Sequence, residues 1–319
     1  MFVIYFINIS IHYPCMILII FYMLVMFALI GKNEIVYKGA YDGLMLWFNN
    51  VIPLLLPFML MSALLVEKIQ HQPKDKQKKF AVIITLFTGL LCGYPLGAKN
   101  TSEFVINKSF DKKTGNLLLP FCNNSSPMFI SGYIVYNILE KRISFFNALS
   151  LIYLPYIIYL FFALLIMSVK KRNDKKITSI KQPKKNILKI NDKSVTYHEK
   201  DIIMSTIIQI TYVGFYIIIC SIISEFIMSL SLLNYEKIKL LAAGISEITK
   251  GTLITEKYLL WSSKEKTAII LSLTSFGGIS AILQTNNVIK GSELSILRYI
   301  IIKTICALST YGLSLLLLS

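Results

Sequence analysis

This chain has few charged residues and no recognisable motif for catalysis. Charged side chains make up 16% of its 319 residues, whereas a soluble domain carries about 25%. The three histidines (His12, His71 and His198) have no metal-binding spacing, and there is neither a phosphate-binding loop nor a dinucleotide-binding glycine motif. The five cysteines are far apart in sequence, which excludes a zinc or redox motif. We therefore predict no enzymatic activity and no metal or other cofactor.

The chain consists largely of long apolar runs. Hydrophobic residues make up 55% of the chain, and the mean hydropathy is +0.63. Runs of roughly 18 or more apolar residues recur along the whole length, and each can cross a bilayer as a helix. Hydrocarbon gives the backbone no hydrogen-bond partners, so these runs must bond internally as helices. The sequence predicts an all-α, polytopic integral membrane protein whose surroundings are a lipid bilayer.

The net charge of +16 also fits a membrane protein. In a soluble protein this charge would suggest nucleic acid as a partner. Here the lysines lie between the apolar runs, as the positive-inside rule produces. We therefore expect no nucleic-acid partner.

The apolar runs divide the chain into four regions. Residues 1–43 hold an N-terminal helix near 11–30, which we expect to be retained because it lacks the basic start and cleavage site of a signal peptide. Residues 44–169 and 201–319 are two membrane regions, and the lysine-rich stretch 170–200 is a cytoplasmic linker between them. The later spans are predicted at 44–66, 80–98, 116–139, 146–169, 202–230, 238–259, 267–287 and 295–318.

The two membrane regions show the same order of features. Each has a long apolar helix, then a segment broken by glycine, then a polar helix-breaking stretch, with an offset of about 150 residues. The basic loops at 68–79 and 170–200 should both be cytoplasmic, yet three apolar runs separate them. One run must therefore enter and return on the same side, and 80–98 is the best candidate. With 238–259 behaving likewise, each half has about three crossings and one re-entrant element, which makes the halves inverted repeats.

Irregular backbone at membrane depth is tolerated only where it is buried in protein or lines a cavity. Two polar clusters occupy such places, and broken helices there would present free N–H groups that suit carboxylates or phosphates. The competing interpretation is that Asn and Ser only join helices and that Gly allows close packing. The predicted substrate-binding residues are Gly93, Tyr94, Lys99, Asn100, Asn123, Asn124, Ser125 and Ser126 in the first half, and Glu247, Lys250, Ser275, Gly277, Gly278, Ser280 and Gln284 in the second.

Ionisable residues inside apolar runs are costly and are candidates for function. Glu225 and Arg298 have a simpler explanation, because long side chains near helix ends can reach the interface. Glu247 and Lys250 share a glycine-broken segment, and their i, i+3 spacing predicts that they could pair. Lys303 also belongs to this group of intramembrane charges.

Several of these motifs together resemble a known family. The stretches NVIPLLLPF (50–58), GYPLGAK (93–99) and CNNSSPMFI (122–130) resemble the YlbJ-type sporulation integral membrane proteins, which belong with the nucleoside-recognition "Gate" domain proteins. The later stretch SFGGISAILQ (275–284) is similar to the family's second Gly-Gly motif. The resemblance covers about 44–290. The family more often has a glycine before the proline that stands here at 127, so the local turn can differ.

The resemblance implies a role in endospore formation. It implies transport of dipicolinic acid across the mother-cell-derived outer forespore membrane, in support of cortex and core maturation. Dipicolinate is a flat aromatic dianion, so helix N-termini with Lys99 or Lys250 would suit its carboxylates, and Tyr94 or Phe276 its ring.

Four functional hypotheses follow from the sequence and the resemblance. The first is a secondary or facilitative transporter of an organic anion such as dipicolinate. The second is a transporter of a nucleoside or another small molecule. The third is a non-transporting scaffold for spore-envelope assembly that docks through the basic linker. The fourth is a membrane enzyme, which we disfavour because the sequence shows no acid/base groups for it. A second copy of the chain or a sporulation membrane protein is the protein partner that these hypotheses leave open.

Overall fold

The computed structural model is helical throughout the residues that it describes, and these contain no strand. The predicted all-α class is confirmed. The predicted N-terminal helix at 11–30 falls mostly outside the described residues, and so does most of the 170–200 linker. The described residues are 29–70, 72–177, 199–230 and 236–318, together with Met23, Met26 and Phe27.

Four of the described helices are long and apolar enough to cross a bilayer. They have 22, 29, 26 and 22 residues, where a crossing needs about 20. A fifth candidate is a bent pair, Asn33–Val51 with Leu55–Ile69, whose two parts meet at 58°. The chain is therefore a polytopic α-helical membrane protein. The four helices are Phe145–Ile166, Asp201–Ser229, Ser263–Val288 and Ile296–Leu317.

Burial separates a central span from the peripheral ones. Inside the protein, 72% of the apolar window of Ser263–Val288 is buried, against 28% of that of Phe145–Ile166. The outer spans instead expose large apolar side chains, among them Phe161 (59%), Ile166 (67%) and Leu308 (65%). In water these faces would be strongly unfavourable, so they are the surfaces that contact lipid.

The helices follow one another in two matching series. The first series is α1 (Asn33–Leu46), a π-helical turn (Trp47–Val51), α2 (Ile52–Gln70), α3 (Lys74–Cys92), α4 (Leu96–Ile106), α5 (Lys112–Cys122), a π-helix (Phe129–Ile138) and α6 (Phe145–Ile177). The second series is α7 (Glu199–Ser229), α8 (Glu236–Ser246), α9 (Ile248–Lys257), α10 (Ser263–Phe276), α11 (Gly278–Val288) and α12 (Ile296–Leu317).

The order of elements from α2 to α6 is repeated from α7 to α12. In each half a long helix precedes two consecutive helices that pack against each other, α3 with α4 and α8 with α9; we name these pairs hairpin 1 and hairpin 2. A broken helix follows: α5 with Phe129–Ile138 is broken helix 1, and α10 with α11 is broken helix 2. A long closing helix ends each half. Corresponding elements lie about 150 residues apart, as the sequence predicts for a transporter repeat.

The hairpins turn where the sequence breaks the helix. In hairpin 1, α3 ends at Cys92 and α4 begins at Leu96, directly after Pro95, which cannot continue a helix. In hairpin 2 the turn is Glu247, whose side chain accepts a hydrogen bond from the Lys250 backbone N–H at 2.8 Å and so caps α9. The turns therefore fall within the predicted segments 80–98 and 238–259, and their return to the same side of the membrane stays a prediction.

Hairpin 2 closes through a contact between two glycines. A Cβ placed on Gly251 would overlap the Cα of Gly244, so neither helix could approach the other so closely with a larger residue there. Small residues at such crossings are the usual means of close helix packing within a membrane. Gly244 and Gly251 therefore fix the shape of the hairpin.

The broken helices start with strong caps and end at defined breaks. The Asp111 side chain accepts from the Thr114 N–H at 3.0 Å, and this contact with Thr114 holds the pKa of the carboxyl below its usual range. Ser262 and Glu265 form a reciprocal capping box at the start of α10. Broken helix 1 is interrupted at 123–128, and broken helix 2 at Gly277, which has φ +91°. The inverted orientation of the two halves stays a prediction.

Candidate functional site

A cavity of about 360 Å³ lies where the four helix breaks meet. The turn of hairpin 1 contributes Tyr94, and the break of broken helix 1 contributes Ser125 and Ser126. The turn of hairpin 2 contributes Glu247, and the break of broken helix 2 contributes Gly277. Irregular backbone from both halves therefore lines one cavity.

The rest of the cavity wall combines aromatic, amide and aliphatic side chains. The π-helix of broken helix 1 presents a row, Phe129, Tyr133 and Asn137, at spacings of four residues. The Phe129 and Tyr133 rings stack with centroids 5.1 Å apart. The remaining wall residues are Leu46, Asn50, Val51, Leu55, Cys92, Met128, Gly132, Val213, Ile217, Ile248, Thr249, Ser280, Ala281 and Gln284.

The structure divides the fifteen predicted site residues into two groups. Seven of them line the cavity: Tyr94, Ser125, Ser126, Glu247, Gly277, Ser280 and Gln284. The other eight are not in its wall: Gly93, Lys99, Asn100, Asn123, Asn124, Lys250, Ser275 and Gly278. Within this second group Asn123 and Asn124 hold the break of broken helix 1 in place, which is the role that the competing interpretation assigned to Asn.

Asn123 joins three elements behind the cavity. Its Nδ2 donates to Thr285 Oγ1 at 2.7 Å and to the Tyr299 hydroxyl at 3.0 Å. Its Oδ1 accepts from the Ala98 N–H at 3.3 Å. Because all of these groups are buried, each bond satisfies an atom that no water could reach. Asn123 thus connects broken helix 1 to hairpin 1, α11 and α12.

Asn124 closes the C-terminal end of α5. Its Nδ2 donates to the backbone oxygens of Pro120 and Phe121, at 3.1 and 2.9 Å. Its Oδ1 accepts from Lys303 Nζ at 2.6 Å. The side chain is fully buried, so it satisfies carbonyls that the end of a helix leaves without partners.

The break of broken helix 1 and the closing helix α6 both bond to the end of α10. Ser125 Oγ in the break donates to the Thr274 oxygen at 2.9 Å, and the Tyr156 hydroxyl on α6 donates to the Ser275 oxygen at 2.8 Å. Both accepting carbonyls lie in the last turn of α10, just before Gly277. Two side chains of the first half therefore satisfy the backbone groups that are freed by the break in the second half.

The two lysines predicted to bind a carboxylate are engaged elsewhere. Lys99 lies 3.8 Å from Glu103, one helical turn away on α4. The Lys250 ammonium pairs with Glu225 and lies 3.1 Å from Asp42, which links hairpin 2 to α7 and α1. The predicted pairing of Lys250 with Glu247 is therefore wrong for their side chains: Glu247 receives the backbone N–H of Lys250 instead.

Among the residues that the structure describes, Glu247 is the only acidic or basic side chain in the cavity wall. It is 3% exposed, and besides capping α9 it accepts from Thr249 Oγ1 at 3.2 Å. A carboxylate in the first turn of a helix is favoured by the dipole and by the free N–H groups. This position keeps an acidic group inside the cavity, and no described lysine or arginine forms an ion pair with it.

Contacts across the cavity join broken helix 1 to hairpin 2. The Tyr133 hydroxyl donates to the Thr249 oxygen at 2.9 Å. Arg142 forms two hydrogen bonds with the Glu256 carboxylate, at 2.6 and 3.2 Å, and these raise the pKa of the guanidinium. Separating hairpin 2 from the first half would break both contacts.

Sequence reasoning missed a substantial part of the wall. The row Phe129, Tyr133 and Asn137 follows the predicted cluster directly, and its spacing places it on one face of a helix. This four-residue spacing is the sequence feature from which the row could have been predicted. Asn50 had no comparable signal, because the short π-helical turn that contains it does not follow from the apolar composition around it.

No known protein adds to this description. The chain matches no family model, no curated protein and no solved structure. Among the described residues no group of three or more His, Cys, Asp or Glu side chains could hold a metal ion. The fold and the cavity are therefore the basis for assigning a function.

Proposed function

We propose that the protein is a secondary or facilitative membrane transporter for a small aromatic organic anion, with dipicolinate as the first candidate substrate. One observation supports this most strongly: the four helix breaks, two from each half, converge on a single cavity. Helix breaks at membrane depth leave backbone N–H and C=O groups without helical partners, and such groups are tolerated only where they are buried in protein or line a cavity. Secondary transporters are commonly built from two repeats on either side of such a cavity.

The size and lining of the cavity suit a flat molecule with a polar edge. Its volume of about 360 Å³ lies near the lower end of the range for small-molecule sites, about 300–1,000 Å³. The stacked Phe129 and Tyr133 offer ring faces, while Ser126, Ser280 and Gln284 offer hydrogen-bonding groups. The ring of an aromatic carboxylate suits the ring faces, and its carboxyl groups suit the hydrogen-bonding side chains.

Transport requires the cavity to open in turn to each side of the membrane. The two hairpins are the natural moving parts, because each is a helix pair that turns at one to three residues. In the structure hairpin 2 is held to the first half by Tyr133, by Arg142 and by the ion pair of Lys250 with Asp42. Release of these contacts would let hairpin 2 move while the broken helices keep the substrate groups in place.

A second candidate substrate is an uncharged aromatic molecule such as a nucleoside. Glu247 favours this alternative, because an ionised carboxylate in the wall repels an anion but accepts hydrogen bonds from a neutral ligand. Lys99 and Lys250 lie outside the wall, so neither offers a positive charge to an anion in the cavity, which also favours a neutral ligand. The proposed place of action, the outer forespore membrane, depends on the motif resemblance at 93–99 and 122–130.

Uptake into proteoliposomes, with Glu247→Gln as the variant, decides between the two substrates. We expect the wild-type protein to take up labelled dipicolinate faster than empty vesicles. Glu247→Gln removes a negative charge, so it should lower the KM for dipicolinate, whereas it should raise the KM for labelled uridine if uridine is carried.

The control is Glu103→Gln, which removes a carboxylate outside the cavity and should leave both KM values unchanged. Uptake of uridine without dipicolinate would replace the anion by the nucleoside as substrate. Uptake of neither compound by folded protein would overturn the proposal and favour a scaffold.

A further inference from the structure

Lys303 is a buried basic residue that lies outside the cavity wall. It lies on α12 and is 0% exposed. Its Nζ donates to Asn124 Oδ1 at 2.6 Å and to the Tyr94 hydroxyl oxygen at 2.8 Å. In the part of the chain that the structure describes, no Asp or Glu carboxylate lies within ion-pair distance of this ammonium.

Aromatic rings surround the ammonium without neutralising it. Its nitrogen lies 4.9 Å from the ring centroids of Tyr94 and Tyr156 and 6.0 Å from that of Tyr299. Ring faces attract a cation, but they carry no net charge. Burial without a counter-charge disfavours the charged form of a lysine, and ionisable groups in such places are candidates for function. A carboxylate ligand would supply the missing counter-charge and so favour the ammonium form.

The hydrogen bond from Lys303 determines what Tyr94 can do. An ammonium only donates, so the Tyr94 hydroxyl oxygen is the acceptor, and its own hydrogen can be given to the neighbouring Ser125 hydroxyl or to a ligand in the cavity. A hydroxyl that accepts from a cation becomes a stronger donor. Tyr94 lines the cavity, and its hydroxyl lies against Gly277 on the opposite break. The charge of Lys303 therefore reaches the cavity through one hydroxyl group.

We propose that Lys303 and Tyr94 form the anion-recognition element of the cavity. Tyr94 donates its hydroxyl hydrogen to a substrate carboxylate, and the Lys303 ammonium behind it supplies the counter-charge. This inference rests on the proposed function and specifies it: the substrate is an aromatic carboxylate bound at the hairpin 1 side of the cavity, across from Glu247 on hairpin 2. Lys303 is thus a positioning and charge-compensating residue that acts through Tyr94.

The test compares a charged ligand with its uncharged isostere. Titration calorimetry on the full chain in nanodiscs would measure the Kd of pyridine-2,6-dicarboxylate and of pyridine-2,6-dicarboxamide. In Lys303→Met the Kd of the dicarboxylate should rise about tenfold to a hundredfold, the range for a hydrogen bond to a charged group. The Kd of the dicarboxamide should stay close to the wild-type value.

Two further variants keep the test interpretable. Tyr94→Phe retains the ring and removes only the hydroxyl, which is both the proposed donor to the ligand and an acceptor for Lys303, so it should show the same selective loss even if Lys303→Met is poorly folded. Lys266→Met is the matched control, because Lys266 is another buried lysine, bonded to the Glu256 backbone oxygen and outside the cavity wall. It should bind both ligands like the wild type.

The outcomes separate this inference from the proposed function. Equal losses for both ligands, or dicarboxylate binding that is unchanged in both Lys303→Met and Tyr94→Phe, would overturn the recognition element but leave an anion transporter standing. Failure of the folded wild-type protein to bind the dicarboxylate would overturn both, because the anion itself would then be the wrong ligand.

Discussion

Replacing Gly277 by valine is expected to reduce uptake to the level of empty vesicles. Gly277 has φ +91°, which a β-branched residue strongly disfavours, and an added Cβ would overlap the Tyr94 hydroxyl. The two effects together should lower the free energy of unfolding by about 2–5 kcal/mol. Tyr94 would also be displaced from the position in which it accepts from Lys303.

Thermal unfolding and substrate uptake, measured on the same preparation, check this prediction. The control is Gly312→Val, because a Cβ at Gly312 meets no atom within 4 Å and this glycine lies on α12 outside the cavity. It should fold and transport like the wild type apart from a small helix-propensity effect. Wild-type stability and transport in Gly277→Val would show that the break does not need its glycine.

Replacing Asn124 by alanine should have the second large effect. The change removes two hydrogen bonds to the end of α5 and one acceptor from Lys303, all in a fully buried region. Leaving these groups without partners should lower the free energy of unfolding by about 3–5 kcal/mol. We expect transport to fall to background, because Lys303 loses a hydrogen-bond acceptor and the end of α5, next to Ser125, loses two hydrogen bonds.

Asn147→Ala is the matched control for this variant, since Asn147 is an exposed asparagine near the start of α6. Its unfolding temperature and uptake should equal those of the wild type. Asn124→Asp would be informative beside it, because it keeps the acceptor for Lys303 and removes the donors to Pro120 and Phe121. Full activity in Asn124→Ala would contradict the role of this side chain.

The positions of the helices and breaks could be predicted because they depend on local chemistry. Apolar length fixes a span, and glycine, proline and capping residues fix its interruptions. The runs 146–169 and 295–318 correspond closely to the observed spans Phe145–Ile166 and Ile296–Leu317. The breaks at 93–95 and Gly277 likewise appear where the motifs stand. The same local signals gave seven of the cavity residues.

The partners of the charged residues could not be predicted, because they come from helices far apart in sequence. The i, i+3 spacing of Glu247 and Lys250 suggested a local pair, but Glu225 on α7 and Asp42 on α1 supply the carboxylates. The sequence placed Lys303 among the intramembrane charges but gave no partner for it; the packing of α12 places it beside Tyr94. Helix packing, which a single sequence does not encode locally, decides which charges are neutralised and which remain available.

The central claim is that the cavity between the four breaks holds the substrate, and filling it tests this most directly. Gly132 lines the cavity, and a Cβ placed there meets no atom within 4 Å, so Gly132→Leu should fold normally while occupying the space. Labelled dipicolinate uptake into proteoliposomes should fall to background in Gly132→Leu and stay at the wild-type rate in Gly312→Leu, with equal thermal stability. Wild-type uptake by a stable Gly132→Leu protein would place the substrate path elsewhere and contradict the account.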